Sequence, residues 1–207
     1  MTLTLVFGGS GSGKSELAER LCVRASRRGG APARLTYVAT MRDDGSREAL
    51  RRVERHRRMR AGRGFETWEV PRDIAGELRR APGALSCSGD GVVLLEGLGT
   101  LCANELFDAG APAPLDDPRT LARTAEGALG RALCGVWALR ERCRDLVVVS
   151  DDLFRGSVPA QGATRAYLEV LARANRAVAE RADRVVEVVC GIPLWLRGAE
   201  ARGEEGL

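Results

Sequence analysis

Lysine and histidine are almost missing from this chain. Among 32 basic residues there is one lysine, Lys14, and the one histidine is His56. Aromatic residues make up 4%, too few to lay out stacking platforms for single-stranded nucleic acid. The net charge of +4 with a pI near 8.9 suits a polyanionic ligand as well as a nucleic acid, and sign alone does not separate the two. No apolar run reaches about 18 residues, which argues against a membrane-spanning helix. Met1-Thr2-Leu3-Thr4-Leu5-Val6-Phe7 enters a glycine loop without a basic flank or a small-residue cleavage site. The expectation is a soluble, cytoplasmic protein. None of the six cysteines forms a C-x-x-C pair, so neither a disulfide framework nor a metal site is implied. They read as small core residues in a reducing compartment. With 44% hydrophobic residues, the length suits one packed core: a single domain over 1–197 and a frayed tail over 198–207.

What is present is organised around the rare residues. Arginine serves wherever positive charge suffices, so the place of the single lysine is informative. Lys14 closes Gly8-Gly9-Ser10-Gly11-Ser12-Gly13-Lys14-Ser15, a G-x-x-x-x-G-K-S pattern between an expected strand and an expected helix. Glycines there let backbone N–H groups face phosphates, the helix start adds positive potential, Lys14 reaches the β and γ oxygens, and Ser15 ligates Mg²⁺. A compact ammonium fits that position where a planar guanidinium does not. Short apolar runs at Leu3 to Phe7, Leu35 to Ala39, Val92 to Leu95, Leu146 to Ser150 and Val185 to Val189 alternate with helical stretches. That alternation predicts a three-layer α/β fold of the P-loop, RecA-like kind with a mostly parallel sheet. Pro193-Leu194-Trp195-Leu196 is expected to add a short edge strand. Glu96 terminates the Val92 run and is the expected carboxylate for the metal or its waters, with an ordinary helix cap as the plainer reading.

Ser46 to Arg60 lacks breakers and should be helical. Eight arginines lie between Arg47 and Arg63, a face that attracts polyanions. Ala49, Val53 and His56 fall at i, i+4 and i+7, so His56 continues the apolar stripe. Two readings follow. One is a buried histidine satisfied by a hydrogen bond; the other is a nucleophile or base near neutral pH, flanked by arginines that stabilise a phosphoryl transition state.

Taken together, these residues resemble the bifunctional adenosylcobinamide kinase / adenosylcobinamide-phosphate guanylyltransferase family. Besides the loop, the resemblance runs through Tyr37-Val38-Ala39-Thr40, Arg52-Val53-Glu54-Arg55-His56-Arg57, Leu94-Leu95-Glu96, Asn104-Glu105-Leu106-Phe107, Gly156-Ser157-Val158-Pro159, Asn175 and Ala182-Asp183-Arg184-Val185. It implies phosphorylation of adenosylcobinamide by ATP or GTP, then transfer of GMP from GTP onto that phosphate through a guanylylated His56. It also implies triphosphate held by Lys14, Ser15 and the loop amides, Mg²⁺ served by Ser15 and Glu96, and GTP contacts at Thr40, Arg57, Arg58, Arg60 and Glu69. A homo-oligomer, a trimer, is implied as well. The chain departs from the family where Asp151-Asp152-Leu153-Phe154 replaces the usual Asn-Glu-Val-Gly, and around Ala61 to Phe65, which is one residue longer. Two other readings compete with this one: a plain P-loop kinase of another small hydroxyl compound, in which His56 is structural, and a nucleotide-driven nucleic-acid-binding protein.

Overall fold

The fold is given by a computed structural model that describes residues 1–28, 31–42, 62–85, 89–107, 117–156 and 162–198. Its elements in chain order are β1 (Thr2–Gly8), α1 (Lys14–Ser26), β2 (Leu35–Ala39), β3 (Phe65–Glu69), α2 (Ile74–Arg80), β4 (Val92–Glu96), α3 (Leu98–Phe107), α4 (Pro118–Arg140), β5 (Asp145–Asp151), α5 (Ala163–Arg181), β6 (Arg184–Val189) and β7 (Ile192–Arg197). The described strands form one seven-stranded sheet in the order β3-β2-β4-β5-β1-β6-β7. All neighbours are parallel except β6 and β7. This is the expected three-layer, mostly parallel α/β architecture.

Its strands are apolar on both faces because both faces are covered. Leu3, Leu5, Val93, Leu95, Leu146, Val148 and Val185 join a core shared with α2 to α5. The alternate positions Val6, Val92, Leu94, Val147, Val149, Val186 and Val188 pack with Leu17, Leu21, Cys22 and Ala25 of α1. The two-residue period of the strands thus divides one apolar run between two cores. Capping is local and legible: Asp117 accepts from the N–H of Thr120 at 2.8 Å, with Pro118 in the first turn of α4.

Three details differ from the sequence reading. Phe65–Glu69 forms β3, an edge strand that the apolar pattern did not mark because Glu66, Thr67 and Glu69 are exposed and polar. The expected Pro193–Leu196 edge strand forms and is longer, Ile192–Arg197, folding back on β6 through Cys190 and Gly191, both at positive φ. The cysteines are not uniformly core residues: Cys22, Cys102 and Cys143 are buried, whereas Cys134 and Cys190 are exposed. Cys190 sits in that tight turn, exposed and at φ +51°. The expected helix over 46–60 lies outside the described residues. No described helix is long and apolar enough to cross a membrane.

Candidate active site

The parallel sheet aims its strand ends at one edge, and the site assembles there. β1 runs into Gly8, whose added Cβ would stand 2.5 Å from the Val188 carbonyl oxygen and 2.7 Å from Ser12 Oγ; no larger residue fits. The loop turns through Gly11 and Gly13, at φ +72° and +93°, conformations that favour glycine. The turn is closed by a bond from the Ser12 N–H to the Gly9 carbonyl at 3.2 Å, and the Gly191 N–H donates to the Ser12 carbonyl at 2.8 Å. Gly13 is the N-cap of α1 with no side-chain cap, so the first-turn amides of Lys14, Ser15 and Glu16 are left to a ligand. Gly9, Ser10 and Gly11 are exposed at the mouth of this cradle.

Lys14 lies 8% exposed at the start of α1, its Nζ donating to the Gly9 carbonyl at 3.1 Å and pairing with Asp151 Oδ1 at 2.8 Å. Ser15 Oγ donates to Glu96 Oε1 at 2.9 Å. Glu96 terminates β4, one strand removed from β1 because β5 is inserted between them. Burial pushes its carboxyl up to about 7, against the pull of the Ser15 hydrogen bond and the Lys14 charge. Its second oxygen, Oε2, is buried and meets no donor among the described residues.

Magnesium takes hard oxygen ligands and keeps several waters and phosphate oxygens in its shell. The Ser15 hydroxyl and the partnerless Glu96 oxygen supply such ligands side by side, so these residues fit the ion. Among the described residues no group of three or more His, Cys, Asp or Glu side chains is placed to hold a metal, so phosphate and water would complete the shell.

The neighbouring strand ends carry the remaining candidates. Thr40 follows β2 and is buried; its hydroxyl lies 3.0 Å from the carbonyl oxygens of both Glu96 and Gly97, sharing one proton between them. That bond ties the β2 exit to the turn that carries Glu96. Glu69, exposed, ends β3 in register with Ala39, which is itself in register with Glu96. Glu69, Thr40 and Glu96 therefore share one edge of the sheet. His56, Arg57, Arg58 and Arg60 lie outside the described residues.

Sequence reasoning missed two contributors. Asp151 ends β5 opposite Gly8 and is the carboxylate paired with Lys14; its signal was a strand-terminal acid after Leu146 to Ser150, the same signal that marked Glu96. Asn104 of α3 was quoted only as part of a motif. Its Nδ2 donates to the Thr40 carbonyl at 2.8 Å and the Pro71 carbonyl at 2.9 Å, clamping the exits of β2 and β3 together. The adjacent Glu105, buried, accepts from the Asp73 N–H at 2.6 Å and pairs with Arg131 at 2.7 Å.

Against known proteins, residues 4–196 match the family model described as cobinamide kinase / cobinamide phosphate guanyltransferase. The chain is 32% identical over 194 residues to the bifunctional adenosylcobalamin biosynthesis protein CobP of Pseudomonas aeruginosa, covering 94% of this chain and 96% of that protein. It is also 32% identical over 200 residues to the bifunctional adenosylcobalamin biosynthesis protein CobU of Escherichia coli, covering 94% and 99%. A KaiC-like protein from Pyrococcus horikoshii, PH0186, aligns structurally over 90% of this chain and 70% of its own, with 10% identity and a TM-score of 0.38. A phosphate loop answered by a strand-end carboxylate, over a match that spans nearly the whole sequence, means that the chain belongs to the CobU family of bifunctional cobinamide kinases and cobinamide phosphate guanylyltransferases of cobalamin biosynthesis.

Proposed function

We propose that the chain phosphorylates adenosylcobinamide with a nucleoside triphosphate and then transfers GMP from GTP to that phosphate through a guanylylated His56. The observation that carries the nucleotide part is that Lys14 and the Ser15–Glu96 pair stand at the start of α1, which has no side-chain cap. Lys14 and the amides hold the β and γ phosphates, and Thr40, Arg57, Arg58, Arg60 and Glu69 form the GTP-contacting region. A carboxylate such as Glu69 accepts from the N1–H and the amino group of guanine together. Mg²⁺, bound by Ser15 and Glu96, would draw charge from the phosphate oxygens.

In the first step the acceptor hydroxyl attacks the γ-phosphorus and the nucleoside diphosphate leaves. In the second, a neutral ring nitrogen of His56 attacks the α-phosphorus of GTP, pyrophosphate departs, and the substrate phosphate then displaces the histidine from the phosphoramidate. A homotrimer is the assembly that the family resemblance supports.

The test is incubation with Mg²⁺ and GTP labelled at the α-phosphate. Acid-labile, alkali-stable label is expected on the wild-type chain and on no His56→Ala chain, while His56→Ala still phosphorylates cobinamide. Lys14→Ala should lose both. Absence of label from a protein that binds nucleotide would reduce the reading to a plain kinase with a structural His56.

A further inference from the structure

Asp151 is an acidic side chain set against the one lysine in the chain. Its position is fixed three ways. The backbone places it opposite Gly8 in the β1–β5 register, and the next residue, Asp152, donates its N–H to the Gly8 carbonyl at 3.0 Å. Oδ1 pairs with Lys14 Nζ at 2.8 Å. Oδ2 lies at the first turn of α3, where a Cβ added to Gly99 would stand 3.5 Å from it, and the positive end of that helix favours a carboxylate. The side chain is 35% exposed, against 10% for Lys14.

The ammonium has three donors. One is spent on the Gly9 carbonyl and one on Asp151, which leaves a single donor for an arriving phosphate. A phosphate oxygen and an ionised carboxylate are both acceptors, so Asp151 offers the triphosphate no hydrogen bond, only repulsion and competition for Lys14. Glu96 does not act in the same way: it is buried, held by Ser15, and its carboxyl is pushed up to about 7. A cation carried in with the phosphates cancels the repulsion. It also frees Lys14 to be shared.

We propose that Asp151 is a specificity-determining residue, a charge filter that admits the magnesium complex of the nucleotide and rejects the free polyanion. The filter rests on the reading that this loop holds a nucleoside triphosphate, and it is independent of His56. Its chemistry is equilibrium binding, with no bond made or broken.

The test measures Kd for a GTP analogue with a methylene bridge between the α and β phosphorus, which guanylyl transfer cannot consume, with excess Mg²⁺ and with EDTA. The ratio of the two Kd values is the readout. Asp151→Asn removes the charge at nearly constant shape, and the ratio is expected to shrink at least tenfold, about 1.4 kcal/mol, mostly through tighter binding in EDTA. Asp151→Glu keeps the charge and should keep the steep ratio, which separates charge from folding defects. An unchanged ratio in Asp151→Asn overturns the filter, as does equal weakening under both conditions, which would make Asp151 a support for Lys14 instead. No binding by any form, even with Mg²⁺, would instead overturn the nucleotide reading of the loop itself.

Discussion

Replacing Glu96 by glutamine should stabilise the ligand-free protein, and more so as the pH rises. The Glu96 carboxyl stands at about 7 in the fold, against 4.5 when unperturbed, chiefly because it is buried. Between those values the folded state keeps a proton that the unfolded state has released. Stability is therefore fully present below 4.5 and is lost as the pH climbs through 7, at about 1.4 kcal/mol per pH unit across the window. Glutamine keeps an oxygen for Ser15 Oγ, 2.9 Å away in the parent, and never ionises. The stability gap between Glu96→Gln and its parent should widen by about 2.5 kcal/mol from pH 5 to pH 8, or about 5–10 °C in melting midpoint for a chain of this size. Urea or thermal unfolding in EDTA at a series of pH values measures it. A constant gap, or one that closes as pH rises, refutes the argument. With Mg²⁺ and nucleotide present the order should reverse, since glutamine brings no charge to the metal and nucleotide binding in the parent strengthens as Glu96 ionises.

Two further substitutions probe the frame around that carboxylate. Gly97→Ala places a side chain at φ +92° with its Cβ 3.0 Å from Thr40 Oγ1; a loss of about 1–3 kcal/mol in unfolding free energy is expected, with weaker Mg²⁺-nucleotide binding in a fluorescence titration. Asn104→Leu strands the carbonyls of Thr40 and Pro71 and should cost about 1–3 kcal/mol by urea denaturation. Asn104→Asp, of almost the same shape but an acceptor only, should do no better; if it matches wild type, the clamp is not a hydrogen-bond device.

Much of this site was legible because its parts are local. The loop from Gly8 to Ser15 needs glycines at fixed offsets, and Glu96 stands directly after four consecutive buried residues, Val92 to Leu95, so strand and function share one short word. The same logic reached the central strands, whose apolar runs are buried on both faces. It failed at β3, where the edge position lets polar residues alternate, and at the partner of Lys14, because the Lys14–Asp151 contact spans 137 residues and depends on which strand lies beside β1. Asn104 was invisible for a related reason: its two acceptors are main-chain carbonyls, which any sequence supplies, so only the geometry of the two strand exits reveals the clamp.

The place of β1 in the sheet bears on how the protein is made. β1, made before every other described strand, ends up between β5 and β6, with which it pairs over Thr2 to Gly8 and Thr4 to Gly8. The Gly191 N–H, in the turn after β6, then fastens the phosphate loop through Ser12. No strand made before β5 can satisfy the hydrogen bonds of β1 in their final register. A nascent chain thus carries Leu3-Thr4-Leu5-Val6-Phe7 without its final partners until β5 emerges, a segment rich in strand-forming residues and without charge. Its safe passage becomes a matter of timing and of chaperone cover, and a variant that merely slows the arrival of β5 and β6 could lower yield without touching any residue of the site.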